Sequence, residues 1–299
     1  MFPMWGQIPL MFIENTTGEF LKDVLPEVRS FYEKTPFPNY NDFDSIPNFL
    51  VKVRKGIFGR LLGEQIPPGS QVLEVGCGTG QLSNFLAATS PIKVYGADMS
   101  LSSLKLGAEF AMRSGISDID FFQMNLFHPC IKPESMDLVI SNGVLHHTSD
   151  PKEAFFRVSK LVKKNGYIII GLYNILGRIP TDLRRWVIKI FGEKASILDK
   201  YLRSGVSADK KRAWFMDQYK HPRESKHGIS EVLKWFQQAG FSFVSSIPKI
   251  IGEFEENEKL FERQNPGGEI ERFTCQLDLL LAGGKDGGLF IMIGKKDEV

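Results

Sequence analysis

The sequence predicts an α/β chain built on a doubly wound parallel sheet, and three observations carry that expectation. A short apolar run, Gln71 to Val75, breaks into glycines at Gly76, Gly78 and Gly80 and continues into helix-forming residues from Gln81 to Ala88. An acid, Asp98, closes the next apolar run, Ile92 to Ala97, at about the twenty-residue distance that sets a carboxylate beside a ribose. Apolar runs and amphipathic stretches then alternate as far as Leu172, the pattern of strands and crossover helices.

Each core element follows in order. Pro67-Pro68-Gly69 is a turn that feeds the first strand, 71–75. Glycines at 76, 78 and 80 admit positive φ and bring main-chain N–H groups close to a ligand. The loop then ends at a helix N-terminus, whose unpaired amides favour polar or anionic groups. A dinucleotide loop would place its third glycine three residues after the second, and that position is Gln81. After Asp98, Ser100 is a candidate N-cap for a helix with Leu101, Leu104, Ala108 and Ala111 on one face. Ile119 to Met124 reads as the third strand and exits at Asn125-Leu126. Met136 begins the fourth, which exits through Asn142-Gly143-Val144-Leu145-His146-His147. Asp150, Pro151 and Glu153 then start a helix with Ala154, Phe155, Val158, Leu161 and Val162 facing inward. Asn165-Gly166 turns the chain into a fifth strand, Tyr167 to Leu172.

The segment Val72-Leu73-Glu74-Val75-Gly76-Cys77-Gly78-Thr79-Gly80 resembles motif I of the class I S-adenosylmethionine (SAM) dependent methyltransferases. The strand that ends Leu145-His146-His147 is similar to motif IV of the same family. This resemblance covers roughly residues 65–175 and the last strands of the sheet. It implies a seven-stranded Rossmann-like methyltransferase sheet with an antiparallel last strand, and SAM as cofactor with S-adenosylhomocysteine (SAH) as product. The implied cofactor contacts are the loop residues Gly76, Cys77, Gly78 and Gly80, Asp98 for the ribose hydroxyls, and Met99 and Leu126 beside the adenine. Asn125 is either an acceptor for the adenine amino group or a plain loop asparagine. Gly76 and the main chain near Asn142 and Gly143 would hold the methionine moiety, with Glu74 supporting the loop through its amides. His146 is the expected base, with His147 beside it; the other reading is that both histidines only shape the pocket.

Outside the core, four regions are expected. Residues 1–64 form an N-terminal lid or strap with a leading helix, and 65–172 form the SAM-binding core. Residues 173–229 are a basic helical insertion, and 230–299 complete the core around an acidic insertion, 249–286. Helices are expected over Glu19–Tyr32 and Phe49–Leu62. Between them a strap, Phe31 to Tyr40, carries Pro36 and Pro38 around Phe37. It either packs on the domain surface or closes over the cofactor, with Tyr32 and Tyr40 supplying hydroxyls. Residues 173–226 hold thirteen Lys/Arg against six Asp/Glu, a net of +7. Leu183, Trp186, Val187, Ile190 and Phe191 share one helical face there. This insertion is expected to cap the substrate with a solvated basic outer face, or else to meet an anionic partner such as acidic lipid headgroups or RNA. Tyr219, His221 and Arg223 are candidate substrate contacts, while Pro222 argues against His221, Glu224 and His227 as a metal triad, so no metal is expected. Ser230 is the expected cap of a helix through Ala239. Strands follow at Phe241–Ile247 and Leu289–Ile293. Residues 249–286 hold five basic and nine acidic residues, a net of −4, so the two insertions are expected to dock on each other.

Composition bounds the function. Forty-two per cent hydrophobic and 24% charged residues describe a globular chain, and a net charge of +2 gives no global footprint for DNA. Three scattered cysteines without a C-x-x-C pair point to a reducing compartment, and the expectation is a soluble cytoplasmic enzyme. The leading function is methyl transfer to a small-molecule acceptor, at oxygen before carbon or nitrogen. The alternatives are an RNA or protein methyltransferase docking through the basic insertion, and a non-catalytic SAM- or SAH-binding module.

Overall fold

A computed structural model describes residues 3–16, 18–20, 23–38, 40, 46–193, 199, 201–205, 207–282 and 285–298. Its centre is a seven-stranded sheet. Strands β3 (Gln71–Val75), β4 (Lys93–Asp98) and β5 (Ile119–Gln123) step outward in one direction. The chain then returns to the other side of β3 with β6 (Met136–Asn142) and β7 (Val162–Tyr173). The spatial order is β5-β4-β3-β6-β7-β9-β8, in which β9 (Leu289–Lys296) runs antiparallel to both β7 and β8 (Phe241–Ile247). The strand order therefore reverses between β3 and β6, and a crevice opens there at their carboxyl ends. A short ribbon of β1 (Met4–Trp5) and β2 (Ile8–Pro9) lies beside the edge strand β5, where Leu10 bridges to Gln123 and Met11 N donates to the Gln123 carbonyl (3.1 Å).

Both faces of the sheet are covered, so its strands carry apolar side chains in alternate directions. Leu73, Val139, Ile168 and Ile170 pack on one side with α6 (Pro151–Ser159) and α9 (Ile229–Gln238). Val72, Leu138, Ile140 and Ile169 pack on the other. There they meet α3 (Ile57–Gln65), α4 (Gln81–Thr89) and α5 (Leu101–Arg113) through Leu61, Leu62, Phe85, Leu86, Leu104 and Phe110. Ser100 caps α5 by accepting from Ser103 N, and Asp150 caps α6 by accepting from Glu153 N, both at the expected positions.

Several elements depart from expectation, each for a local reason. Helix α1 runs Leu25–Lys34 instead of starting at Glu19, because Pro26 suits a first turn and not a helix interior. The single helix expected over 49–62 is two, α2 (Ile46–Arg54) and α3, broken where Gly56 is extended. Strand β7 begins at Val162 and passes through Asn165 at φ +62°. Helix α9 starts one residue before the predicted cap: Gly228 stands at the N-cap position and donates to Glu231 Oε2 at 3.3 Å. Asn39, within the strap, lies outside the described residues.

The two insertions meet, but not through their opposite charges. Among the described residues, the acidic stretch pairs Lys249 with Glu258 and Arg272 with Glu269. The basic stretch turns Arg178 and Arg185 onto its own Glu224. Contact between the two runs through a pair of neutral amides, Asn174 Nδ2 donating to Gln276 Oε1 (2.9 Å). No helix among the described residues is long and apolar enough to cross a membrane.

Candidate active site

A cavity of about 620 Å³ opens at the crevice, within the range of ordinary small-molecule sites. Its floor is the glycine loop. Gly76 N and Cys77 N both donate to the Ala97 carbonyl (2.7 and 3.0 Å), which ties the loop to the end of β4. Asp98 then accepts from Gly78 N at Oδ2 and from Ser100 N at Oδ1, each at 2.8 Å, so its carboxylate is fixed where it lines the cavity. Burial raises its pKa to about 6 against these stabilising amides. Glu74 lines the cavity as well, and its Oε2 accepts from Ser83 N (3.0 Å) and from Ser83 Oγ, joining β3 to the first turn of α4. Burial pushes Glu74 up to about 7. All three loop glycines are required by close approach as well as by positive φ, Gly80 (φ +69°) against the Phe121 ring. A Cβ on Gly76 (φ +74°) would strike Val144, and one on Gly78 (φ +54°) would strike the Phe37 carbonyl oxygen. Gly80 is the N-cap of α4 and lies outside the cavity lining, which corrects its expected place as a cofactor contact.

The N-terminal strap closes over this floor. Glu33, at the end of α1, accepts from Leu101 N (2.7 Å) and Ser102 N (3.0 Å) and so caps α5 from outside. Ser100 Oγ donates to the Tyr32 carbonyl (3.3 Å), and Thr79 Oγ1 donates to the Pro38 carbonyl. Phe37, Pro38 and Tyr32 consequently line the cavity together with Leu25 and Val28. Tyr40 does not. Its hydroxyl accepts from Asn84 Nδ2 (2.9 Å) and its ring stacks on Phe110 at 4.4 Å, which corrects its expected place in the site.

On another wall, Tyr32 donates to Asp217 Oδ1 (3.2 Å) and Gln218 Nε2 donates to Asp217 Oδ2 (2.8 Å). Asp217 and Gln218 belong to α8 (Ala208–Lys220) and line the cavity with Tyr173 and Trp214. Gln218 also accepts from the wholly buried Arg178 (2.6 Å), whose guanidinium lies 3.7 Å over the Tyr173 ring and pairs with both oxygens of Glu224. Burial raises Asp217 above the ordinary carboxylate range, whereas the arginines Arg178 and Arg185 hold Glu224 down at about 2 against its own burial. Asp217 was not among the sequence candidates. Its one local signal is an acid four residues after Ala213 on the inward face of a helix.

The two histidines diverge in a 3-10 turn over Leu145–His147. His147 lines the cavity, and its Nδ1 lies 2.7 Å from the Arg223 carbonyl. A carbonyl only accepts, so Nδ1 carries the proton and Nε2 holds the lone pair of the neutral ring. Burial keeps that ring's pKa below the ordinary value, while Asp217 opposes the shift. His146, the expected base, is wholly buried between Tyr173 (4.1 Å) and His147 (4.2 Å), outside the cavity lining. Neither of its ring nitrogens has a partner among the described residues, and burial holds it well below the ordinary histidine range.

The remaining candidates divide in the same way. Cys77, Met99, Asn125, Leu126, Asn142 and Gly143 line the cavity. Asn125, however, is committed elsewhere: Nδ2 donates to the Ile13 carbonyl and Asn15 Oδ1 (2.8 Å each), and Oδ1 accepts from Phe127 N (3.1 Å). Asn142 Oδ1 is a buried acceptor with no partner among the described residues. Tyr219 turns away to Asp199 Oδ2 (2.7 Å). His221 stacks behind His147 (3.7 Å) and accepts from Arg223 N, so His221 and Arg223 support His147 instead of facing the cavity. His221, Glu224 and His227 each have other partners, and no metal-binding group forms among the described residues.

A family model described as a methyltransferase domain matches residues 66–240. An uncharacterised protein of Synechococcus sp. (strain ATCC 27144 / PCC 6301 / SAUG 1402/1) is 25% identical over 198 residues, covering 58% of this chain and 48% of its own length. A protein of Vibrio atlanticus named ubiquinone biosynthesis O-methyltransferase is 29% identical over 128 residues, covering 42% of this chain and 49% of its own. The chain thus spans about half the length of the curated relatives it matches first. Among solved structures, magnesium protoporphyrin IX methyltransferase of Synechocystis PCC 6803 with bound SAH shares the fold, with a TM-score of 0.53 at 17% identity over 91% of this chain and 99% of that one.

Proposed function

Because the chain belongs to the class I SAM-dependent methyltransferases, whose domain model spans more than half of it, we propose that it transfers a methyl group from SAM to a hydroxyl of a small-molecule acceptor. The observation that carries this reading is one cavity lined both by Asp98, fixed by two main-chain amides, and by His147, whose protonated nitrogen is already committed.

The residues present fit the cofactor. Asp98 keeps lone pairs free for two ribose hydroxyls beyond those its amides use. Asn142 Oδ1, buried and without a partner among the described residues, suits the methionine ammonium. Gly76, Cys77, Gly78 and Gly80 hold the loop main chain open, and Gly143 completes the rim. Met99 and Leu126 offer an apolar flank to the adenine, a role that Asn125 leaves to them. Within residues 1–64 the strap at 25–38 acts as the lid, and 173–229 act as the acceptor cap around the core of 65–172 and 230–299.

When bound, SAM supplies a methyl group already activated on its sulfonium, so what the protein adds is alignment and proton removal. His147 Nε2 accepts the proton of the acceptor hydroxyl. The Arg223 carbonyl and the Asp217 carboxylate stabilise the imidazolium that forms. Asp217 and the Tyr32 hydroxyl orient the acceptor, and the strap excludes water. A cavity of about 620 Å³ with the strap across its floor favours a small acceptor over a macromolecule. A neutral base and the O-methyltransferase names of the relatives favour oxygen.

The test is SAH release from a panel of aromatic hydroxyl compounds and their matching amines. Turnover of hydroxyl members, lost in His147→Gln, is the expected result; turnover of amines alone contradicts it.

A further inference from the structure

Helix α7 (Ile179–Phe191) sits the opposite way round from the sequence expectation. Its arginines were expected on a solvated outer face. Instead Arg185 turns inward, donating from Nε to the Gln218 carbonyl (2.7 Å) and from both Nη atoms to Glu224 (2.8 and 2.6 Å). The outward face is apolar: Leu183, Trp186, Ile190 and Phe191 are 60, 61, 53 and 71% exposed, at spacings that form one stripe. Apolar exposure is also found beyond the helix. Gly177 lies against Leu279 of α10 (Glu269–Leu281), and Ile175 and Leu281 beside that junction are exposed too.

We propose that this face docks on a lipid bilayer carrying anionic headgroups. Exposed Trp, Phe, Leu and Ile on one side of a surface helix is the composition of an interfacial segment. Charge selects the kind of surface. Residues 173–226 carry +7 in a chain of net +2, so the remainder carries −5 and the positive excess belongs to the segment that contains this helix. The acid on α7, Asp182, is tied to Lys226 and Arg185, whereas Lys189 is exposed beside Ile190. Lysine in that position reaches headgroup phosphates while its stem lies along the apolar face. Arg185 ties the inner side of α7 to the Gln218 carbonyl of α8, which carries Trp214 and Asp217 to the cavity, so the docked helix is linked to the acceptor wall through one side chain.

The experiment is co-sedimentation of the full chain with phosphatidylcholine vesicles, with and without phosphatidylglycerol, at low and high salt. Binding is expected to the anionic vesicles, to weaken in high salt, and to fall on the order of a hundredfold in the Leu183→Ser, Trp186→Ser, Phe191→Ser variant. These side chains are exposed, so the variant keeps the parent melting temperature and SAH affinity. Lys189→Glu separates charge from apolar contact and is expected to weaken anionic binding alone. No binding to either vesicle, equal binding to both, or a dimer in light scattering that the triple variant disperses would overturn the proposal. Vesicle binding is read without turnover, so its failure leaves the methyl-transfer reading standing.

Discussion

His147 and His146 are chemically identical neighbours with opposite fates. One has a carbonyl on Nδ1 and a face on the cavity; the other has no partner for either nitrogen and is sandwiched between rings. Replacing His147 with glutamine is expected to lower kcat for hydroxyl acceptors by about a hundredfold or more, with SAH affinity unchanged in calorimetry. His146→Phe, which keeps the ring packing, is expected to retain kcat within a few-fold. The sequence names the pair but not which of them turns inward, because that depends on the rotation of a single 3-10 turn. Glu74 yields a pH prediction. Burial raises its pKa to about 7 from 4.5, so the folded state binds more protons than the unfolded chain between those values. Its contribution to stability is therefore complete below about pH 4.5 and is lost as pH rises through 7, on the order of 3 kcal/mol in all. Glu74→Gln is expected to flatten that dependence, read as the urea midpoint at pH 5 and pH 8.

At the scale of elements, the lid and the cap are held by partners that no local pattern announces. Glu33 caps a helix 68 residues downstream, and Tyr32 reaches an aspartate 185 residues away. Strands β3 to β7 were legible because a sheet covered on both faces must be apolar, and the glycine loop because its backbone needs glycine. The orientation of α7 was not legible, because amphipathicity defines a face without saying which way it points. Its inward turn depends on Glu224, which binds Arg178 and Arg185 in a buried cluster. Glu224→Gln leaves the wholly buried Arg178 without its anion and is expected to destabilise the fold by about 3–5 kcal/mol, visible as a lower melting temperature. Glu33→Gln weakens only the attachment of α1 to α5. Faster hydrogen exchange in α1, with the sheet amides unchanged, is the expected signature.

Across the whole molecule, strand order and strap converge on one place. The order reverses between β3 and β6, the glycine loop and Asp98 stand at that reversal, and residues 25–38 close over it. Calorimetric titration of the protein with SAH, with NAD as control and Asp98→Asn as the variant, shows directly whether this crevice is a SAM site. Saturable SAH binding is expected, with none for NAD and a large loss of SAH affinity in Asp98→Asn at pH 7.5. In the parent protein SAH binding is expected to weaken as pH falls through about 6, where Asp98 takes up a proton. Preference for NAD, or SAH affinity indifferent to Asp98, would rule out a SAM site built on Asp98.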